Sequence, residues 1–232
     1  MLSNEMKEVM EVLLANRLYL YSLMHKVFGR EPDQDLLNIL VSDASCEAYG
    51  LLSEAEDDVM ARACKFLTGL RDDIQNAEFL DRAKSEYTKL FIGPAKLVAP
   101  PWESVYRNKQ ELLFQESTLA VREFYRKFNM LPEGYPRIPD DGLALEIHFM
   151  AKLAEKSLDA LQTDRLDYLK YYLSGQNIFL ANHLLIWIPM FVERMANAPS
   201  DYLYPQMCLI LDDFLKKDKK IVEELLENLQ QA

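Results

Sequence analysis

Residues able to do chemistry are few in this sequence, and their spacing is uninformative for standard catalysis. Asp140-Asp141, just after Pro139, and Asp72-Asp73 are paired carboxylates of the kind used in acid–base work. A carboxylate placed just before a helix also serves as an N-cap and complements the helix dipole. His148 follows Glu146 by two positions, which sends the two side chains to different helical faces. Glu146 and Met150 share a face, but glutamate with methionine is a poor metal pair. His183 lies in the most apolar stretch, where a hydrogen-bonded core histidine is the plain alternative to a ligand. Cys46, Cys64 and Cys208 form neither a CxxC pair nor an even-numbered framework. They read as three free thiols in a reducing compartment. Nucleotide, metalloprotease and serine-hydrolase signatures are absent. No catalytic residue, metal site or cofactor is expected from the residues themselves.

Lysine and arginine total 26 against 37 aspartates and glutamates, a net charge of −11. Such a chain lacks the basic footprint that phosphate backbones require, and anionic membranes repel it. The charge suits a basic partner. Half of the 232 residues are hydrophobic, enough for a large core. The N-terminus, MLSNEMKEVMEVL, carries acids where a signal peptide carries bases. The apolar run Ile178–Val192 is shorter than the ~20 residues that span a bilayer and contains Asn182, His183 and Pro189. It reads as a buried core helix, and the protein as cytoplasmic.

The elements that would position these residues are helical. Leu13, Leu14, Leu18, Tyr21, Met24 and Phe28 recur at helical spacing, and Gly29 ends the pattern. Pro32 suits the first turn of a second helix. Ser53-Glu54-Ala55-Glu56 has capping-box spacing, which predicts a helix to about Leu70. Another is predicted from Asn76 to Phe91. Residues 93–102, GPAKLVAPPW, hold three prolines and a glycine and exclude regular helix. Helix resumes at Ser117, breaks over 131–141, and continues from Leu143, with breaks near Gly175, Pro199 and Lys216–Lys220. The chain is therefore expected to be all-α, with about nine to eleven helices. One domain with two lobes, roughly 1–106 and 116–232, fits the two proline-rich interruptions better than separate domains.

Segment 87–106, YTKLFIGPAKLVAPPWESVY, has seven aromatic or proline residues in twenty. Loops carry such residues when they pack inward or bind something. Rigid aromatics near Glu86 and Glu103 would suit a peptide with apolar and basic residues.

This segment resembles the TorD/DmsD family of redox enzyme maturation chaperones. Three blocks carry the likeness. The first runs Glu86-Tyr87-Thr88-x-Leu90-Phe91-x-Gly93-Pro94 into Ala99-Pro100-Pro101-Trp102-Glu103-Ser104-Val105-Tyr106. The second is Asp141-x-Leu143-Ala144-Leu145-Glu146-x-x-Phe149-Met150. The third is Phe179-Leu180-x-x-His183-Leu184-x-x-Trp187-x-Pro189. Leu113-Phe114-x-x-Ser117-Thr118-Leu119 is similar to the DmsD branch.

The resemblance implies an all-helical fold and a non-enzymatic role: binding the twin-arginine signal peptide of a molybdopterin-dependent oxidoreductase of the dimethyl-sulfoxide reductase class, and supporting its maturation before export. The peptide-binding residues it implies are Tyr87, Phe91, Pro101, Trp102, Glu103, Ser104, Tyr106, Asp141, Glu146 and His183. Asp141, Glu103 and Glu86 would meet the arginines. Gly142 stands where the family usually has histidine, and it could free the backbone there. The implied assembly is a monomer or domain-swapped homodimer. Two alternatives remain: a NarJ-type chaperone gripping the body of a non-exported molybdoenzyme, and an all-α enzyme using Asp141, Glu146 and His183.

Overall fold

The computed structural model describes residues 2–107, 112–113, 115–131, 139–200 and 202–231. Among them are eleven α-helices and no strand, as expected; one isolated bridge pairs Trp102 with Gly142. Helix α1 (Asn4–Gly29) is capped by Ser3, whose hydroxyl accepts from Met6 N at 3.1 Å. It buries Met10, Leu14, Arg17, Tyr21, Met24 and Phe28, a stripe at three- and four-residue steps. That stripe packs along α8 (Leu143–Gln162), the most extensive helix pair in the molecule.

Between them, α2 (Gln34–Leu40) starts from Asp33, so Pro32 precedes the cap instead of sitting in the first turn. The next two helices, α3 (Asp43–Gly50) and α4 (Val59–Gly69), pack together. The helix expected from Ser53 begins only at Val59. Asp58 caps it, accepting from Ala61 N at 2.8 Å, and also gathers Ser53 Oγ and Glu54 N into a loop. Lys217 Nζ, 2.8 Å from the same carboxylate, fixes Asp58 there. No local capping box can compete with that tertiary pair. The expectation of three free thiols is also corrected. Cys46 of α3 and Cys64 of α4 form a disulfide with Cα atoms 4.9 Å apart, and Cys208 alone is free and buried. An odd count excludes complete pairing, not one bridge across two packed helices.

Helix α5 (Ala77–Tyr87) continues into a π turn, Thr88–Ile92, closed by Gly93 at φ 100°. Short α6 (Glu103–Arg107) and α7 (Glu116–Lys127) precede α8. Then α9 (Leu166–Phe179), a π turn (Leu180–Leu184) and α10 (Leu185–Ala196) form one helical run of 31 residues. By length and composition it could cross a membrane, yet half of its most apolar window is buried inside the protein. Leu173, Phe179, Leu184, Trp187 and Phe191 are each fully buried in the core.

Gly175 does not break the helix. A Cβ there would lie 2.2 Å from Phe128 Cζ, so the glycine exists to let that ring lie against the helix backbone. Nor does α11 (Tyr204–Gln231) break at its lysines. Lys216 pairs with Asp212 at 2.7 Å and Lys219 with Glu223, both i,i+4, which supports the helix. One core cluster extends from Leu2 to Leu225. Within it Arg17 donates to Asp218 at 2.5 Å and to Gln176 at 2.8 Å, and Tyr21 OH donates to Asp218 at 2.6 Å. This buried network ties the first helix to the last.

Candidate functional site

The proline-rich loop before α6 and the loop before α8 are stitched together. Leu143 N donates to Pro101 O and Glu103 N to Asp141 O, both at 3.0 Å. Asp141 is fully buried; it accepts from Ser104 N at 2.7 Å and from Thr118 Oγ1 at 2.9 Å. It therefore caps α6 from a distance and does not cap α8, the helix it precedes. Asp140, also buried, takes Arg122 Nη2 at 2.7 Å, while its carbonyl accepts from Tyr125 OH. The acid pair is spent on architecture.

Beneath the loops lies a polar layer. Glu103 Oε2 accepts from His183 Nδ1 at 2.9 Å, and its Oε1 accepts from Arg107 Nη1 at 2.6 Å. Because a carboxylate only accepts, His183 must carry its proton on Nδ1. Glu146 accepts from Trp187 Nε1 at 3.0 Å. Burial, then the neighbouring Glu103 carboxylate, holds the Glu146 carboxyl well above the usual range. Its uncharged form is thereby favoured, in a layer that already holds the Glu103 carboxylate. Glu146 and His183 therefore converge on Glu103, with Asp141 close by. Glu103, Asp141 and Glu146 have no exposed surface. Glu86 is likewise occupied: it accepts from Leu203 N and Tyr204 N at 3.0 and 3.2 Å, anchoring the start of α11.

Above this layer is an open cleft of about 220 Å³, lined by Phe28, Tyr87, Phe91, Pro101, Trp102 and Gly142, among others. Tyr87 and Phe91 pack with their rings tilted at 5.1 Å, and Phe91 meets Phe28 edge-on at 6.0 Å. Burial, then the nearby Glu31, raises the Tyr87 hydroxyl above its usual range. Glu31 is half exposed and lies 3.9 Å from Lys84 Nζ, so an acid with access to solvent, already facing one base, lies near this aromatic wall. Leu145 lines the cleft and also lines a second one of about 510 Å³ along α8, where Met130, Leu131 and Phe149 form apolar walls beside Lys152 and Lys156.

Four of the expected residues, Tyr87, Phe91, Pro101 and Trp102, thus share one surface with Gly142. Glu103, Ser104, Asp141, Glu146 and His183 support that surface from below. Tyr106 lies elsewhere, tilted against Trp187 at 5.5 Å with Arg194 over its ring at 4.8 Å. Gly142 sits at φ −79°, ψ 140°, so it uses no conformation reserved for glycine. Sequence reasoning missed Phe28, Glu31 and Leu145. Phe28 was legible as the last apolar residue of the α1 stripe; Glu31 carried no signal. Among the described residues no group of three His, Cys, Asp or Glu side chains is placed to hold a metal ion.

Fold and site together define an all-helical protein with an open aromatic cleft framed by two stitched loops. Residues 56–193 match the family described as nitrate reductase delta subunit, and the chain belongs to that family. It is similar to the chaperone protein TorD of Vibrio cholerae, 25% identical over 224 residues, covering 96% of this chain and 99% of that one. It is similar to TorD of a Shewanella species, 26% identical over 217 residues, covering 90% and 95%. A Haemophilus influenzae protein named "Probable Tat proofreading chaperone DmsD" is 29% identical over 125 residues, 54% of each chain.

Proposed function

We propose that this chain is a cytoplasmic, non-enzymatic chaperone acting as one domain. It binds the twin-arginine leader of a molybdopterin-dependent oxidoreductase and supports that enzyme's maturation before export. The observation that carries this reading is the meeting of Tyr87, Phe91, Pro101, Trp102 and Gly142, drawn from two separate sequence blocks, on one open cleft. The relatives named chaperones support it. The acids expected to meet the leader arginines are buried and engaged within the protein, so that role passes to Glu31, which is exposed and whose ion pair with the exposed Lys84 is a long 3.9 Å. The leader's apolar stretch lies over Trp102 and crosses Leu145 into the larger cleft, in helix-in-groove fashion. Its arginines stay at the Glu31 end, away from Lys152 and Lys156.

Trp102→Ala tests the assignment. Leader affinity measured by calorimetry falls at least ~5-fold, more than ~1 kcal/mol, if Trp102 is an anchor. Unchanged affinity in a folded variant overturns it. The family description favours examining one second reading, a chaperone that grips the enzyme's body. Deleting the leader from the client abolishes binding in the first reading and leaves it intact in the second.

A further inference from the structure

The Cys46–Cys64 pair has no part in the cleft and connects two helices already packed against each other. Three observations bear on it. The Cα atoms are 4.9 Å apart, within the range a disulfide needs without backbone movement. Neither cysteine is buried to the degree of Cys208: both are partly exposed, which leaves an edge for a small reagent to reach. Other contacts hold the surrounding helices. Asn16 Nδ2 donates to Ala48 O at 3.1 Å, and Tyr19 OH bonds Ser45 Oγ at 2.7 Å, attaching α3 to α1. Lys217 holds the start of α4 through Asp58 and Leu52 O. None of these contacts runs through the two sulfurs.

We infer that Cys46 and Cys64 form a reversible thiol–disulfide modification site that responds to the thiol redox state around the protein. In a reducing compartment, disulfides that persist as structure are rare, and those that occur are commonly transient or redox-sensing. The co-reactant is a low-molecular-weight disulfide. A thiolate of the pair attacks one sulfur of that disulfide, displacing a thiolate and leaving a mixed disulfide. The second cysteine, as thiolate, attacks the protein sulfur of the mixed bond and displaces the other small thiolate. Two protein thiols are oxidised, one external disulfide becomes two thiols, and the two protein protons pass to the departing thiolates. Reduction runs the same steps backwards. Cys208 stays outside the exchange, because burial raises its thiol well above the usual range.

The consequence is local. The bond closes the segment between two cysteines 18 positions apart, including the Ser53–Asp58 loop beneath Lys217. Closing a segment of that size raises the melting temperature of a domain this long by about 6–12 °C.

The test uses the intact purified protein equilibrated across a series of reduced-to-oxidised glutathione ratios, quenched by a thiol alkylator and weighed by mass spectrometry. The expected result is loss of alkylation at Cys46 and Cys64 together, in one two-electron transition inside the range of the buffers. The melting temperature rises over the same interval. Cys208→Ser keeps the transition; Cys46→Ser abolishes both the paired protection and the temperature shift. Two wild-type outcomes overturn the inference, neither of which needs a variant to fold. In one, both thiols are alkylated at every ratio. In the other, the bond survives the most reducing buffer, which makes it purely structural. Leader binding is not measured here, so this result stands apart from that of the Trp102 experiment.

Discussion

At Gly142 and Gly175 the same residue type answers two different demands. A Cβ on Gly142 would rest 3.7 Å from Pro139 O and from Trp102 Cδ1, an ordinary contact, in backbone that any residue adopts. The glycine therefore shapes the surface beside Trp102 and not the chain path. Gly175 is the opposite case, since its missing Cβ is the space that Phe128 fills. Two effects compete in Gly175→Ala. Alanine gains about 1 kcal/mol of helix propensity in an α9 interior. Against that, a contact of 2.2 Å to a ring that itself packs on Phe149 at 5.8 Å forces a shift in the aromatic cluster. Overpacking of that kind costs about 1–3 kcal/mol. The clash wins, and urea denaturation is expected to show a net loss of about 0–2 kcal/mol. A clear gain in stability would mean that Phe128 has somewhere else to go.

Among the elements, those held by their own sequence were legible and those held by distant partners were not. The α1 stripe, the Asn76 start of α5 and the start of α8 follow from local periodicity and punctuation. The start of α4 depends on Lys217, more than 150 positions away, and the continuity of α11 depends on pairs that a run of lysines conceals. Arg17 occupies a core position of the α1 stripe, and its partners Asp218 and Gln176, far along the chain, explain it. At the site, the aromatic wall was readable as a motif. The fate of the acids was not, because whether a carboxylate caps a helix or faces a ligand is decided by which element packs over it. Glu146 shows the cost of such burial. Its unfolded-state value is ordinary, 4.5, and its folded one lies well above. The folded protein keeps a proton that the unfolded chain releases, so Glu146's contribution is complete below about pH 4.5 and is lost as pH rises through the folded value. Glu146→Gln keeps an oxygen to accept from Trp187 and cannot ionise. Its stability is expected to fall less than wild type between pH 5 and pH 8 (two points on the rising side of 4.5), as measured by urea denaturation. Identical pH slopes in the two proteins would place the proton elsewhere.

For the whole molecule, the charge of −11 is distributed in a way the total does not convey. Glu86, Glu103, Asp140, Asp141, Glu146 and Asp218 are buried and locally engaged, so they add little to the field a distant ligand feels. The field that remains comes from acids at the surface, such as Glu31 near the cleft, and from the excess of exposed acids over lysines along the helices. Exposed charges act over about a Debye length, roughly 10 Å at 0.1 M salt. They govern encounter more than the bound state. A leader with two arginines should therefore associate faster at low salt, its on-rate falling several-fold between about 0.05 M and 0.5 M. Its off-rate, set by the apolar stretch over Trp102 and Leu145, should change less over the same range. Stopped-flow fluorescence with a labelled leader separates the two rates. Replacing both arginines by glutamine should flatten the on-rate dependence while leaving the Trp102 contact in the off-rate. If salt instead acts mainly on the off-rate, the arginines are held in a close ion pair. The Glu31 end of the cleft would then be an anchoring point as much as a source of attraction.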